Sequence, residues 1–305
     1  MAVEQRDPFT GHLTTGHEWN GITELNTRVP RVVYFFLIVT FLFGLGYWLL
    51  MPAWPTGTSY TKGLLGIDQR NVVTQSLKQA EQARAPWTER IEKEDFAAIQ
   101  KDAGLMADVR STGHTLFGDN CAACHGLDAK GGKGFPNLTT AAWLWGGSPE
   151  AIAETIRVGI NSTNPETRSS QMLAFGRDGM LQRPDIDNLV AFVRSLSNPV
   201  PAGDAAAKQV EAGKALFAAN CASCHGDNAK GSTDLGAPDL TDANWIYGGD
   251  AQAIHTTIWG GRQGHMPSWE ARLSALDRKI LTLYLLDLRG STPQGEPKSP
   301  AGGTQ

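Results

Sequence analysis

The sequence predicts an all-α protein in which one N-terminal transmembrane helix is followed by two tandem helical domains. Three observations lead to this fold class: a long apolar run near the N-terminus, a segment repeated at a spacing of 100 residues, and few strand signals within either repeat. The chain of 305 residues has room for an anchor and two domains of ordinary size. Its net charge of −4 shows no basic excess, so we expect no nucleic-acid partner.

The first element is an apolar run of twenty residues, from Val32 to Met51, that contains no charged side chain. At about 1.5 Å per residue, a helix of this length matches the roughly 30 Å hydrocarbon core of a bilayer. Pro52 ends the run, so the predicted transmembrane anchor covers residues 32–52. A cleaved signal peptide would be shorter, would lie closer to the N-terminus and would end in a small-residue cleavage site. We therefore expect a single-pass protein embedded in the membrane.

Basic and aromatic residues at the two ends of this run predict its orientation. Arg28 and Arg31 precede the run, whereas Trp48 and Trp54 lie at its far end. Basic residues flanking a transmembrane helix favour the cytoplasmic side, so residues 1–31 should form a cytoplasmic segment. The rest of the chain should lie in the periplasm, anchored to a bacterial inner membrane.

Residues 53–107, between the anchor and the repeats, are predicted to form a periplasmic spacer. Val72, Val73 and Leu77 have partly helical spacing. The tripeptide Ala85-Pro86-Trp87 should break that run, because proline is disfavoured inside a helix.

The internal repeat defines two domains. GHTLFGDNCAACHGLDAKG around Cys121 matches GKALFAANCASCHGDNAKG around Cys221, and further segments match downstream. The limits of the repeats predict domains at residues 108–199 and 205–292. A linker rich in Pro, Gly and Ala separates them, and residues 293–305 should form a disordered tail because they offer almost nothing to bury.

Each repeat has the same predicted order of helices. One helix leads into the cysteine motif, and a short helix then spans Pro149 to Gly159 or Ala251 to Trp259. A helix with apolar periodicity closes the unit. Asp185 and Asp277 lie near the starts of the closing helices, where a carboxylate suits the helix dipole.

The cysteine motifs predict the cofactor. All four cysteines belong to two Cys-x-x-Cys-His motifs, formed by Cys121, Cys124 and His125 and by Cys221, Cys224 and His225. Two thiols three positions apart on a helical turn can both add to the vinyl groups of one porphyrin, and the adjacent histidine then reaches the iron. A structural zinc site would need both cysteine pairs in one small domain, and a thioredoxin-like pair would need a βαβ context. The sequence therefore predicts two covalently bound haem c groups.

Methionines are the candidates for the second axial ligand of each iron, because a thioether raises the reduction potential relative to a second imidazole. Met266 is the candidate in the second repeat. In the first repeat Met172 and Met180 compete, and the alignment of SQMLAFG with GHMPSWE favours Met172. Three histidines outside the motifs are further candidates: His114, His255 and His265. Of these, His265 is the one serious rival. The spacing leaves open whether each methionine ligates the iron of its own repeat or that of the other.

The two repeats resemble class I cytochromes c. Outside the motifs, the resemblance covers Gly113, Phe117, Pro136 and Phe192 in the first repeat and Gly213, Phe217, Pro238 and Tyr284 in the second. In that family the glycine lets the first and last helices cross closely, and the proline carbonyl accepts a hydrogen bond from the ligating histidine. The resemblance implies the iron ligands His125, Met172, His225 and Met266. Arg157 and Arg262 are candidates for contact with the haem propionates, although a solvated surface arginine is commoner.

The N-terminal segment carries a more specific resemblance. EWNGITELNTRVPR, followed by the aromatic-rich helix, is similar to the anchor of the FixP (CcoP) subunits of cbb3-type haem-copper oxidases. SQMLAFG extends the similarity over nearly the whole chain, although that family commonly has Pro where this sequence has Leu173. The resemblance implies a di-haem subunit that accepts electrons from a donor cytochrome c. It also implies two partners, a mono-haem c subunit and the catalytic haem-copper subunit.

Neither repeat shows a paired acid and base in a constellation that suggests catalysis, so we expect electron transfer and no further chemistry from the chain itself. Three other functions fit part of the sequence. A di-haem subunit of a periplasmic dehydrogenase would not require this anchor. A di-haem peroxidase would require one haem without a strong sixth ligand. A sensor or structural haem protein would bind partners without rapid redox cycling.

Overall fold

The computed structural model describes residues 5–198 and 203–291. The predicted tail at residues 293–305 and part of the linker between the repeats lie outside the described residues. The chain divides into two units, Met1–Ala83 and Arg84–Gln305.

A β-hairpin near the N-terminus is the one paired sheet among the described residues. Strand β1 (Thr14–Trp19) pairs antiparallel with β2 (Ile22–Leu25). Asn20 and Gly21 form the turn, with φ angles of 48° and 87°. Positive φ at both central positions is the geometry that favours Asn-Gly in two-residue hairpins. The hairpin is an addition to the predicted all-α fold, and the molecule remains mostly helical.

Helix α1 (Arg31–Leu50) follows the hairpin and corresponds to the predicted anchor. It has no buried side chain and is long and apolar enough to cross a membrane by its length and composition. The observed helix begins one residue before the predicted anchor and ends two residues before its end.

Helix α2 (Gln69–Lys93) occupies the middle of the predicted spacer. It continues through Pro86, so the predicted break at this proline is wrong. A proline removes one backbone hydrogen bond from a helix interior. Beyond it, however, Ile91 is fully buried and Trp87 packs against the same core. Burial of these side chains offsets the cost of the missing hydrogen bond.

The second unit contains two sets of four helices in the same order, preceded by the short helix α3 (Phe96–Lys101). The first repeat forms α4 (Ala103–Asn120), α5 (Ala122–His125), α6 (Pro149–Val158) and α7 (Arg183–Ser195). The second forms α8 (Asp204–Asn220), α9 (Ala222–His225), α10 (Ala251–Gly260) and α11 (Ala275–Ser291). The helices predicted on each side of the cysteine motifs are thus confirmed.

The closing helices of the two repeats are exchanged. Helix α4 packs against α11, and α8 packs against α7. A Cβ at Gly113 would lie 2.6 Å from the Cβ of Tyr284, and a Cβ at Gly213 would lie 2.1 Å from the carbonyl oxygen of Asn188. Such close crossings require glycine on the first helix. The glycine of each repeat therefore meets the closing helix of the other repeat.

Two hydrophobic cores result, and each contains residues of both repeats. We call the first core with α4, α5, α6 and α11 module A, and the second core with α8, α9, α10 and α7 module B. Module A buries side chains that include Val109, Phe117, Ile156, Trp269, Leu283 and Tyr284. Module B buries side chains that include Phe175, Ile186, Leu189, Phe217, Ile254 and Ile258. Both repeats are needed to complete either core.

The exchange takes place just after α6 and α10. Ile160 and Met266 exchange two backbone hydrogen bonds of 2.9 Å, and Met172 and Arg262 exchange two of 2.8 and 3.0 Å. Gly159, between α6 and the first of these bridges, has φ of 71°, and a Cβ there would lie 2.4 Å from the carbonyl oxygen of Met266. Each methionine segment is thereby paired with the backbone of the opposite repeat.

Candidate haem sites

Each cysteine motif forms a single helical turn at the end of a longer helix. The backbone N–H of Cys121 donates to the carbonyl of Phe117 at the end of α4, and the N–H of His125 donates to Cys121 at 3.0 Å. Cys221 and His225 repeat this arrangement at the end of α8. The two thiols of each motif are accessible, since Cys124 is exposed and Cys121 is half-buried. The turn can therefore present both sulfurs to one porphyrin edge.

Burial holds the first cysteine of each motif in its protonated form. It raises the pKa of the Cys121 thiol to about 11, with a smaller contribution from the nearby Cys124. The pKa of Cys221 is likewise raised to about 11, by burial and then by Cys224. A structural zinc site needs four ligands close together, and among the described residues no group of three or more His, Cys, Asp or Glu side chains is placed to hold a metal ion.

A proline carbonyl orients each histidine of the motifs. Nδ1 of His125 lies 3.3 Å from the carbonyl oxygen of Pro136, and Nδ1 of His225 lies 3.1 Å from that of Pro238. Burial lowers the pKa of both imidazoles, although the proline contact opposes this shift. A neutral imidazole that donates from Nδ1 leaves the lone pair of Nε2 free for a metal.

The two candidate methionines lie in opposite modules from their own cysteine motifs. Met266 packs against the core of module A, which also contains Phe117 and Cys121. Met172 packs against the core of module B, which contains Phe217 and Cys221. The structure thus brings the methionine of each repeat to the cysteine motif of the other.

The rival ligands lie in other surroundings. Met180 is 50% exposed and His114 is exposed on α4. Nδ1 of His265 lies 3.0 Å from the carbonyl oxygen of Asn161 in an exposed contact. His255 stacks on Trp259 at 6.0 Å between ring centroids, and its Nε2 lies 3.8 Å from Asp187. Among the described residues, Met180 is absent from the apolar side chains that pack against either core.

Unpaired polar atoms in the first repeat fit a cofactor that carries carboxylates. Nε1 of Trp143, Nε1 of Trp145 and Nε of Arg168 are buried without a hydrogen-bond partner, as is Nε2 of His255. The guanidinium of Arg168 lies 5.1 Å from the centroid of the Trp145 ring. Buried donors are nearly always satisfied in native proteins. The two propionates of a haem would supply acceptors of the kind that these donors lack.

The arginines named from the sequence have different partners. Arg262 stacks at 4.2 Å on the Tyr247 ring and also donates to Thr257. Arg157 instead directs four of its five N–H donors to three glutamates. Sequence reasoning missed Arg168. It precedes Met172 by four residues, as Arg262 precedes Met266, and that register could have revealed it.

Three family profiles match the chain. One described as the N-terminal domain of cytochrome oxidase-cbb3, FixP, matches residues 11–58. One described as cytochrome c matches residues 111–197. One described as cytochrome C oxidase, cbb3-type, subunit III, matches residues 208–285.

Curated proteins of similar sequence cover almost the whole chain. A cbb3-type cytochrome c oxidase subunit FixP of Bradyrhizobium sp. (strain ORS 278) is 47% identical over 285 residues, which span 93% of this chain and 97% of that protein. A CcoP subunit of Azospirillum brasilense is 41% identical and covers 95% of this chain and 99% of its own length. A CcoP subunit of Cereibacter sphaeroides is 39% identical, with coverages of 91% and 94%.

Proposed function

Because the chain belongs to the FixP/CcoP family of cbb3-type cytochrome c oxidase subunits, we propose that it relays electrons from a donor cytochrome c towards the oxygen-reducing subunit. It is an electron-transfer subunit of the oxidase with two covalently bound haem c groups. The observation that carries the relay proposal is that each cysteine motif lies against a core that also holds one methionine. That arrangement provides two closed, redox-active iron sites in one folded unit.

The proposed ligand sets cross the two repeats. In module A, Cys121 and Cys124 hold the haem, and His125 and Met266 bind the iron. In module B, Cys221 and Cys224 hold the haem, and His225 and Met172 bind the iron. The packing of Met266 and Met172 against opposite cores supports this pairing. Met180 is not assigned as a ligand because half of its side chain is exposed.

The chain's own residues tune the redox centre in three ways. A bound haem supplies a one-electron iron couple, and a thioether ligand favours its reduced state. Pro136 and Pro238 fix the imidazole planes, and the apolar cores of the modules limit the access of water to the irons. With a histidine and a methionine as its ligands, neither iron would keep an open position for oxygen or peroxide. Electron transfer is then the chemistry available.

The anchor supports the proposed orientation of the chain in the membrane, and the family supports its proposed partners. We assign residues 1–31 to the cytoplasm and both modules to the periplasm, on the basis of Arg28 and Arg31 before α1. The modules would then face a periplasmic donor cytochrome c. Electrons would leave through a mono-haem c subunit to the catalytic haem-copper subunit in the same inner membrane.

Purification of the tagged full-length chain from its native membrane in mild detergent tests this function. We expect b-type haem and copper to copurify, together with cyanide-sensitive oxygen uptake from an artificial donor. The isolated subunit should show negligible peroxidase activity and should not bind carbon monoxide. A preparation with c-type haem alone and no oxygen uptake would overturn the assignment to an oxidase relay. Strong carbon monoxide binding to the intact isolated subunit would contradict two closed iron sites.

A further inference from the structure

Arg157 is the centre of an ion cluster that joins the two repeats. It lies near the end of α6, and its side chain is 26% exposed. Its Nε and Nη2 atoms donate to the two carboxylate oxygens of Glu154 at 2.8 and 2.7 Å. Nη1 donates to Glu270 at 2.8 Å, and Nη2 also donates to Glu166. A single guanidinium from the first repeat thus binds a carboxylate four residues beyond Met266.

Further hydrogen bonds fasten the Met266 segment to the same part of the first repeat. The hydroxyl of Ser268 donates to the carbonyl of Arg157 at 2.6 Å. The amide of Asn164 donates to Ser268 at 3.2 Å and to Glu270 at 2.8 Å. On the other side of Met266, the amide of Asn161 donates to the carbonyl of Gly264 at 2.7 Å. Met266 therefore lies in a segment held from both sides by polar contacts.

In the part of the chain that the structure describes, the equivalent place in module B has no such cluster. Trp259 stands two residues before Gly261, as Arg157 stands two residues before Gly159. Gly176 stands four residues after Met172, where the second repeat has Glu270. A Cβ at Gly176 would lie 2.3 Å from the Trp259 ring, so the contact is apolar and tight. The Met172 segment is thus held by an indole ring and by two hydrogen bonds between Asn161 and Ser170, whereas the Met266 segment is also held by an ion cluster.

We propose that Arg157 is a positioning residue for Met266, so that the two haem sites differ in how firmly they keep their methionine when charge is removed or screened. The inference rests on the proposed ligation of the module A iron by Met266. Arg157 acts through Glu270 and Ser268 and does not touch the iron. Disruption of the cluster should free the methionine of module A and leave that of module B in place.

Displacement of methionine by imidazole in the oxidised full-length protein tests this inference. Ferric haem with a methionine ligand has a weak absorption band in the red, and the loss of this band reports imidazole binding. In the reduced protein, each ligated methionine gives one upfield NMR resonance from its methyl group, so two such resonances indicate two ligated methionines. The variants M266A and M172A assign each signal to a module. In R157M we expect the imidazole affinity of module A to rise about tenfold. This is the combined effect expected when several partly exposed ion pairs are lost and the methionine becomes easier to displace. Module B should not change.

Two more variants separate charge from general damage. E270Q keeps a hydrogen-bond acceptor for Asn164 but removes the charge, and it should reproduce part of the effect. R177M is the matched control, because Arg177 is 65% exposed and, among the described residues, has an ion pair only with its neighbour Asp178. High salt should raise the imidazole affinity of wild-type module A and leave R157M unchanged, since salt screens exposed charges.

The outcomes are distinct. Unchanged imidazole affinity in folded R157M or E270Q, or an equal rise in both modules, would overturn the role of Arg157. If R157M does not fold, E270Q and the salt dependence of the wild-type protein decide the matter. If M266A keeps both methionine resonances, the proposed ligand set is wrong, whatever R157M does. If M266A loses one resonance and R157M behaves as wild type, the ligand set stands and the positioning role fails.

Discussion

The proposed haem-binding residues have surroundings that the sequence indicates in part. The resemblance to class I cytochromes c predicted Pro136 and Pro238 as hydrogen-bond partners of the two histidines, and their carbonyl oxygens lie 3.3 and 3.1 Å from Nδ1. The donors left unpaired around Trp145 were not predicted. Indole and guanidinium groups in a loop have many ordinary uses, and only burial without a partner marks them as binding groups.

Acid pH should release Met266 before Met172. Arg157 lowers the pKa of Glu154 and Glu270 below the ordinary value of 4.5, chiefly through its hydrogen bonds. The charge of Arg168 also lowers the pKa of Glu154, and the charge of Arg278 that of Glu270. Such a carboxylate contributes stability above its unfolded pKa and loses it as the pH falls through the lowered folded pKa. Below about pH 4.5 the cluster around Met266 should therefore weaken, while the contact of Trp259 with Gly176 carries no charge.

The measurement is an acid titration of the oxidised full-length protein, followed by the weak red absorption of methionine-ligated ferric haem. The variant M172A lacks the proposed methionine ligand of module B, so its remaining band reports module A. In R157M, which lacks the ion cluster, module A should lose its methionine at a higher pH than in the wild type. Simultaneous release from both modules of the wild-type protein, or earlier release of Met172, would contradict the role assigned to the glutamates.

At the scale of elements, periodicity and motif spacing predicted the helices on each side of both haem motifs. The hairpin was missed although Asn20-Gly21 lies between β-compatible segments and is the strongest short-range signal for a two-residue turn. The helical path through Pro86 was missed for a different reason. Whether a helix tolerates a proline depends on what its next turn buries, here Ile91, and that is a tertiary property.

Replacement of Gly213 by alanine should destabilise module B by separating two helices. A Cβ at this position would lie 2.1 Å from the carbonyl oxygen of Asn188, and backbone atoms cannot move aside as a flexible side chain can. Overpacking of this kind typically costs about 1–3 kcal/mol. Gly290 in α11 is the matched control, because a Cβ there meets nothing within 4 Å.

The measurement is denaturant-induced unfolding of both variants, followed by the helical signal and by the methionine absorption of each module. G290A should be neutral or slightly stabilising, since alanine favours a helix by up to about 1 kcal/mol relative to glycine. Equal effects of G213A and G290A would show that the helix crossing at Gly213 is not under strain.

For the whole molecule, the sequence left the pairing of methionines and irons open because similar repeats permit either arrangement. Gly113 could accept the aromatic of either closing helix, and in the structure it meets Tyr284. Two contacts favour the exchanged arrangement. Arg157 meets Glu270, and Trp259 meets Gly176. Without exchange, Trp259 would face the carboxylate of Glu270 and Arg157 would face glycine, so each repeat alone would combine mismatched partners.

Separation of the two repeats should therefore abolish methionine ligation at both haems. A fragment of residues 84–203 contains the first cysteine motif but lacks Met266, Trp269 and the whole of α11, which together supply one side of the module A core. Its own Met172 could take their place only if the chain folded back at Gly159, and the fragment lacks Glu270, the partner of Arg157 from the second repeat. We expect a high-spin haem that binds carbon monoxide and a fragment of low stability.

A fragment of residues 84–305 is the control, because it contains every residue of both cores and should keep two methionine-ligated haems. Coexpression of residues 84–203 with residues 204–305 should restore part of this ligation, since the two pieces can exchange their closing helices without a covalent link. A stable low-spin, methionine-ligated haem in the fragment 84–203 alone would mean that the exchange is one of two accessible arrangements. In that case the contacts of Arg157 and Trp259 would not be sufficient to select between them.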